Sequence, residues 1–484
     1  MPEKRIHPRG RRGRFSLAVA GVGLALGLAG TAHAQNINSG VSIGPSQQLS
    51  TPLTPGVPSP TAASKVDQLI GGMAALDGPR TSLGNLGIDI LGDFITEFAS
   101  NVSGGVKKGS TFANQLGIEL DVDWQKLARI QGLSTHVVVI NRSGSPASSR
   151  GIIGDNLLPV QEIYGAGGDV ALHLVYAYAE EKLAQGRVDI ALGRMPLAND
   201  FAASPLNCNF MNNSLCGNPK SLPGGDRGFS SYPDAVWGAR VRVRPTDHTY
   251  IQTGIYATDQ DLYTYDRFRS GFTFDTSKIN GETFPVEAAW LPTFGADRLP
   301  GHYKVGFSYD NAPQSDFYVD RDGAPAALSG QPYRTHKGHT QAWALFDQML
   351  LRQGPGDNDG IILMGGYVHN DPSTSVYAEQ YYGAVLDRSF WKARPLDTIG
   401  VLFSYLNTSP QLARQQQLNL DFGLPIANGA TGVQRHMQIL EANYDIHVYR
   451  GVNFEPDFQY VFRPNAVNNI KDAIVLGFKS HIAF

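Results

Sequence analysis

DAIVLGFKSHIAF, from Asp472 to Phe484, alternates between apolar side chains and polar or small ones along its whole length. The apolar residues of one face are Ile474, Leu476, Phe478, Ile482 and Phe484. Lys479 and His481 fall on the other face. A period of two predicts a β-strand with one apolar and one wet side. A strand ending on a terminal phenylalanine is typical of outer-membrane β-barrels, although an edge strand of a soluble sandwich also alternates.

The N-terminus has the pattern of a signal peptide. Basic residues precede an apolar run from Phe15 to about Gly30, and Ala32-His33-Ala34 supplies a small-x-small cleavage site. We therefore expect residues 1–34 to be removed and the mature chain to leave the cytoplasm. Residues 35–85 are expected to form a Pro/Ser-rich N-terminal segment, in which Lys65 to Leu76 can make a short helix.

The composition suits twisted strands with aromatic side chains. The 484 residues include 54 glycines and 20 tyrosines, a mixture that favours strands over helical packing. Charge is nearly balanced, with 40 basic against 43 acidic residues, so no nucleic-acid partner is indicated. After residue 34, no apolar run reaches the ~20 residues that a membrane-spanning helix needs.

Residues 86–484 read as repeated segments of about ten residues separated by turn residues, the spacing expected of membrane strands. We count 16 such segments, and the connections between them sort by length. The tight turns are Gln185-Gly186, Thr246-Asp247 and Arg450-Gly451. The opposite connections are long, at 143–169, 196–234, 260–281, 312–340 and 409–435. This sorting predicts an all-β fold, a 16-stranded antiparallel transmembrane β-barrel with short periplasmic turns and long extracellular loops, rather than a sandwich.

The predicted inner faces of these strands carry charged and polar side chains. They include Gln115, Glu119, Asp121 and Asp123, then Arg240, Arg242 and Arg244, and near the end Glu441, Asn443, Asp445, His447, Glu455, Asp457 and Gln459. Because unpaired buried charge is costly, such an inner face predicts a water-filled channel. The segment 341–352 fits this pattern poorly, since Trp343 and Asp347 share a face.

Several stretches are similar to a known family. They are LPVQEIY (158–164), GRM (193–195) followed by Asp200-Phe201, VWGA (236–239), LEANY (440–444), PDFQYV (456–461) and DAIVLG (472–477) with the closing Phe484. In their order and joint spacing, the chain resembles the carbohydrate-selective porins of the OprB family from about Leu86 to Phe484. The resemblance implies an outer-membrane channel of a Gram-negative bacterium that lets glucose and related sugars diffuse into the periplasm. The implied partners are carbohydrates and outer-membrane lipid, and both a monomer and a homotrimer stay open.

Such a channel needs a constriction that replaces part of a sugar's hydration shell without holding the sugar tightly. Because a barrel of this size leaves an aqueous lumen, a long loop must fold inward. One candidate is 143–169, which contains Gln161, Glu162 and Tyr164. The other is 196–234, in which Cys208 and Cys216 are expected to form a disulfide.

Pore-lining and sugar-contact candidates on the wall combine carboxylates with guanidinium groups. They are Glu119, Asp121, Arg194, Arg240, Arg242, Glu441 and Asp445. For each of them, an ordinary lumen-facing polar residue far from the constriction is as good an interpretation as a sugar contact. The reason is that wall residues alternate between the two faces by geometry alone. Arg194 shares the alternation of the lipid-facing Ile190 and Leu192.

No cofactor and no metal site is predicted. No His, Asp or Glu lies between the two cysteines, which leaves a zinc site without its usual ligands. The chain has no Gly-x-Ser-x-Gly elbow and no His-Glu-x-x-His motif, so we expect no enzyme. The alternatives to a sugar-selective porin are a general or anion-leaning porin of the same architecture and a β-sheet hydrolase.

Overall fold

The computed structural model describes residues 76–145, 147, 151–163, 170–215, 217–262, 271–272, 274–356, 358–426 and 430–484. The expected signal peptide, nearly all of the expected Lys65–Leu76 helix, Tyr164 and Cys216 lie outside these ranges. Within them, each helix lacks the length and apolar character needed to cross a membrane.

Antiparallel strands, each paired with its neighbour in the chain, form one closed sheet. The 16 long strands are β1 Ile88–Gly105, β2 Gly109–Asp123, β3 Leu133–Gly144, β4 Val170–Leu183, β5 Val188–Met195, β6 Val236–Thr246, β7 Thr249–Asp259, β8 Ile279–Trp290, β9 Leu299–Asp320, β10 Tyr333–Arg352, β11 Gly360–Asn370, β12 Tyr377–Arg388, β13 Thr398–Thr408, β14 His436–Tyr449, β15 Val452–Phe462 and β16 Lys471–Ala483. A further two-residue strand, Thr293–Phe294, pairs with the start of β9. The predicted 16-stranded barrel is confirmed.

The barrel closes where its first and last strands meet. Glu97 of β1 lies opposite Ala113 of β2 on one side and opposite Lys479 of β16 on the other. Beyond the end of β16, the backbone of Phe484 exchanges two hydrogen bonds with Gly92, at 2.9 and 2.8 Å. The C-terminal alternation therefore forms the seam of the barrel.

Within the described ranges, five short α-helices lie in the connections or before the first strand. They are α1 Asp77–Leu86, α2 Trp124–Ala128, α3 Ser221–Gly225, α4 Ala326–Ser329 and α5 Pro410–Asp421. The carboxylate of Asp123, predicted to line the lumen, instead caps α2 by accepting hydrogen bonds from the backbone N–H groups of Gln125 and Lys126. An acceptor at this position satisfies N–H groups that a helix leaves unpaired at its start.

In β9 and β10 the structure differs from the predicted loop and explains the irregular alternation of Trp343 and Asp347. The predicted 312–340 loop is largely strand, because the β9–β10 ladder continues to the pair Asp320 and Tyr333. Trp343 and Asp347 do share one face, and that face points inward, opposite Val368 and Met364 of β11. A buried tryptophan inside the barrel means that something covers it.

Candidate functional site

The connection between β5 and β6, residues 196–235, folds into the barrel. Its apolar side chains pack against apolar side chains on the inner face of β10 to β13. The buried residues on the loop include Leu197, Phe201, Phe210, Leu215, Leu222 and Phe229, and those on the wall include Trp343, Leu345, Met364 and Leu402. The rings of Phe229 and Trp343 meet edge to face with centroids 5.8 Å apart. The loop is thus held inside the lumen by an apolar core of its own.

A network of charges joins this loop to β4, β5 and β6, a surface we call the arginine wall (Glu180, Asp189, Arg240, Arg242). Arg240 donates a hydrogen bond to Glu180 at 2.9 Å and forms an ion pair with Asp189 at 3.2 Å. Asp200 of the loop lies 3.1 Å from Arg240 Nε and accepts a hydrogen bond from Arg242 at 3.2 Å. The two predicted arginines therefore face inward, and their charge is matched by carboxylates.

Across the lumen lies a second surface, the acidic wall, on β1, β14, β15 and β16 (Glu97, Glu441, Glu455, Asp457 and Lys479). All five side chains are buried. Glu441 accepts backbone hydrogen bonds from Met211 and Asn212 of the inward loop, at 2.6 and 3.0 Å. Asp445, on the same strand, is half-buried and accepts a hydrogen bond from Asn453 at 2.8 Å. Glu441 thus holds the loop, whereas Asp445 accepts a hydrogen bond from a residue of the barrel wall.

The other predicted inward loop, between β3 and β4, also contacts the wall. Gln161 donates to the backbone oxygen of Glu97 at 3.1 Å, and Gln459 donates to the backbone oxygen of Val160 at 2.9 Å. Gln161 is fully buried and acts as a brace, while Glu162 beside it is partly exposed. Of Gln161 and Glu162, Glu162 is therefore the better placed for a ligand.

Asp155 fixes the same loop further along. Its carboxylate accepts hydrogen bonds from the N–H groups of Leu157, at 2.8 Å, and Asn465, at 3.2 Å. Asn465 belongs to the connection between β15 and β16, so this contact ties the loop to the top of the acidic wall. Complete burial raises the pKa of Asp155 to about 6, although both N–H groups oppose the rise.

The predicted Glu119 and Asp121 lie side by side on β2 with His136 of β3. Asp121 Oδ1 is 2.5 Å from His136 Nδ1, and Ser134 Oγ is 3.0 Å from His136 Nε2. Two groups of residues each bring possible metal-ligand atoms within 4.8 Å of one another. They are Glu119, Asp121 and His136, and separately Glu441, Glu455 and Asp457. Both ring nitrogens of His136 already have hydrogen-bond partners, and so does the carboxylate of Glu441. These possible metal ligands are therefore engaged in hydrogen bonds within the protein.

Three tyrosines and one arginine, which the sequence analysis did not select, form a patch between the arginine wall and β2. Tyr176 lies edge-on to Tyr178 and Tyr232, with centroids 6.1 and 6.2 Å away, and Tyr178 stacks on His136. The guanidinium of Arg142 lies 5.3 Å from the centre of the Tyr232 ring. We call this the tyrosine patch; Tyr178 and Tyr232 are partly exposed in it. Tyr178 and Tyr176 are spaced two and four residues from the inward-facing Glu180, so alternation along the strand could have predicted that they face the lumen. Tyr232 lies in a loop, where no such pattern predicts its position.

Arg194 does not join these groups. It pairs with Trp237 across the β5–β6 ladder, on the face opposite to that of Gly193 and Tyr178. Its guanidinium lies 5.9 Å from the ring centre of Phe274. The register thus places Arg194 with the outward-facing side chains, as its alternation with Ile190 and Leu192 indicated.

Most of this chain is similar to known proteins. The family model for "Carbohydrate-selective porin, OprB family" matches residues 107–484. Porin B of Pseudomonas aeruginosa is 26% identical over 421 residues, covering 84% of this chain and 90% of the relative. The putative porin QuiX of Acinetobacter baylyi is 26% identical over 418 residues, covering 84% and 91%.

Solved structures of related porins have the same fold. The high-pH structure of Pseudomonas putida OprB matches with a TM-score of 0.77 and 26% identity, covering 84% of this chain and 96% of that one. The low-pH structure of the same protein has a TM-score of 0.52 at 18% identity, and it supports the fold alone. With a family model that spans more than three quarters of its residues, this chain belongs to the OprB family of carbohydrate-selective porins.

Proposed function

We propose that this outer-membrane porin passes monosaccharides such as glucose along the tyrosine patch, between the inward loop and the β2–β4 side of the barrel. The chain is a sugar-selective channel of the Gram-negative outer membrane, as its family and fold show. The proposal adds the size of the sugar and the surface that it meets.

The tyrosine patch is the observation that supports this proposal. Tyr178 and Tyr232 offer aromatic faces on which the C–H groups of a sugar ring can pack, and Arg142 lies against one of them. Glu162 is partly exposed and lies close enough to Tyr232 to interact with it electrostatically, so it supplies an acceptor for hydroxyl groups. A small number of polar groups around an apolar surface favours orientation of a ligand, and partial exposure favours its release.

The charge arrangement favours neutral solutes over anions. Arg240 and Arg242, which would have indicated an anion-leaning porin if they were unpaired, both lie within 3.2 Å of Asp200. The acidic wall on the opposite side has four carboxylates and one lysine, so its net charge disfavours anions. We therefore place the anion-leaning alternative second.

The outer surface is proposed to contact lipid. Aromatic side chains such as Tyr381 and Phe458 are exposed there, as expected of a membrane-facing band. Since the closed sheet of one chain encloses its own pathway, the proposal is the same for a monomer and for a homotrimer.

Liposome swelling with glucose, a disaccharide and an amino acid of similar size to glucose tests the proposal. Wild type is expected to pass glucose fastest, and Tyr178→Leu is expected to reduce its preference for glucose over the amino acid. Tyr381→Leu, on the outer face, is the matched control and should leave that preference unchanged. Equal rates for glucose and the amino acid in wild type would contradict the proposal.

A further inference from the structure

We infer that Glu441 is a positioning residue that sets the size limit of the channel by holding the tip of the inward loop. The loop tip is Cys208–Asn212. This inference rests on the proposed function, because a size limit has meaning only for a channel that passes sugars.

Wall side chains contact the backbone of the loop tip at four of its five residues. Lys479 donates to the backbone oxygen of Cys208 at 3.1 Å, and Asn443 donates to that of Asn209 at 2.5 Å. Glu441 accepts from the N–H groups of Met211 and Asn212. Donors on the wall thus meet carbonyl groups, and the acceptor meets N–H groups, so the wall is complementary to the backbone path of the tip.

The wall also leaves room for the side chains of the tip. A Cβ at Gly400 would lie 3.0 Å from Phe210 Cε1, and one at Gly477 would lie 3.0 Å from Met211 Cε. Both glycines face inward, opposite Asn443 and Asp457 respectively. Contacts this close leave no space for a larger residue, so the tip sits directly against the sheet.

Glu441 has the central role because its carboxylate only accepts hydrogen bonds. One oxygen receives the Met211 N–H, and the other receives both the N–H and the side-chain amide of Asn212. A glutamine has one oxygen and one NH2 group, so in either orientation its NH2 would face at least one of these donors. Glu441→Gln therefore opposes the tip while changing the wall side chain very little in size.

The test compares Glu441→Gln with Glu455→Gln in the full-length chain. Glu455 is a buried carboxylate of the same wall that accepts a hydrogen bond from Asn443 at 2.8 Å. A glutamine oxygen at this position can still accept that bond. Liposome swelling would give the ratio of disaccharide to glucose permeation, and heat-modifiable migration on a gel would verify that each barrel is folded. We expect a severalfold rise of this ratio, with noisier single-channel currents, for Glu441→Gln and none for Glu455→Gln.

Asn212→Ala supplies a second route, since it removes a loop side chain and leaves the wall intact. It should raise the same ratio by less than Glu441→Gln does. A folded Glu441→Gln barrel with the wild-type ratio, or an equal rise in Glu455→Gln, would overturn the inference. If Glu441→Gln does not fold, an unchanged ratio in Asn212→Ala would overturn it. A wild-type protein that admits no sugar would instead refute the proposed function.

Discussion

The arginine wall and the acidic wall hold the same loop by opposite chemistry. On the arginine wall, cationic side chains hold a loop carboxylate, Asp200. On the acidic wall, the carboxylate of Glu441 holds loop N–H groups, and Lys479 holds a loop carbonyl. The first attachment is specific for one side chain, whereas the second depends mainly on the path of the backbone.

The two walls also differ in charge balance. With Lys182, which lies 3.5 Å from Glu180, the arginine wall and Asp200 combine three carboxylates with three cations. The acidic wall combines four carboxylates with Lys479. Removing a carboxylate should therefore have opposite consequences for stability on the two walls. On the arginine wall it breaks a balanced network, and on the acidic wall it relieves repulsion between carboxylates.

The largest effect is expected from Arg240→Ala combined with Arg242→Ala. It would leave Glu180, Asp189 and Asp200 buried without these partners, and breaking a buried ion pair in this way costs about 3–5 kcal/mol. Folded channels should shift their ion selectivity toward cations. Urea unfolding and reversal potentials would measure the two effects.

Arg187→Ala is the control for that pair. Arg187 pairs with Asp247 at 2.9 Å, but the two side chains are 45% and 37% exposed, so the loss of this pair should cost about 0–1 kcal/mol. If the double variant kept wild-type stability and selectivity, the arginine wall would have no special role, and both arginines would be excluded from the pore lining.

Asp155 extends the comparison to the second loop, where it meets the top of the acidic wall. Its pKa of about 6 in the folded chain exceeds the value near 3.9 expected after unfolding. The folded state therefore binds the proton more tightly, so the contribution of Asp155 to stability should be greatest below about pH 4, fall as the pH rises to about 6 and stay level above. A two-unit shift corresponds to at most ~3 kcal/mol.

Urea unfolding of wild type and Asp155→Asn at pH 4 and pH 7 would measure this contribution. The stability of wild type relative to the asparagine variant should decline between the two pH values, because asparagine does not titrate. A difference between the two proteins that is the same at both pH values would contradict the role given to Asp155.

A smaller effect distinguishes the walls by sign. Glu180→Gln should destabilise the barrel by about 1–3 kcal/mol, because Arg240 loses a charge-assisted hydrogen bond. Glu455→Gln should be neutral or stabilising, since it lowers the negative charge of the acidic wall. Parallel urea titrations would test this, and destabilisation of both variants to the same extent would show that the charge difference between the walls has no energetic consequence.

The fold followed from local pattern, and the packing inside it did not. Alternation with a period of two placed Glu441, Arg240 and Asp121 on the inner face, because successive side chains of a strand point to opposite sides. The ion partners of Arg240 come from three chain segments, and sequence spacing cannot show such contacts. Asp200 was visible in the sequence as part of a family motif, but its position between two arginines was not.

The apolar inner face of β10 to β13 is the clearest case of a missed signal. Trp343, on the same face as Asp347, fits the alternating pattern poorly because it marks the place where Phe229 packs. Strands that are apolar on both faces indicate burial on both faces. In a barrel this means lipid outside and an inward loop inside, so the irregularity itself indicated where the loop lies.

Reduction of the predicted Cys208–Cys216 disulfide should have the smallest effect on the size limit. The contacts between the loop tip and the acidic wall use backbone atoms and Glu441, and none of them needs the sulfur of Cys208. In wild type, a reductant should therefore leave the ratio of disaccharide to glucose permeation unchanged. In Glu441→Gln, where the tip has lost its main acceptor, the same treatment should raise the ratio further, and Cys208→Ser should abolish the response. A large rise in reduced wild type would mean that the covalent link, and not the acidic wall, holds the tip in place.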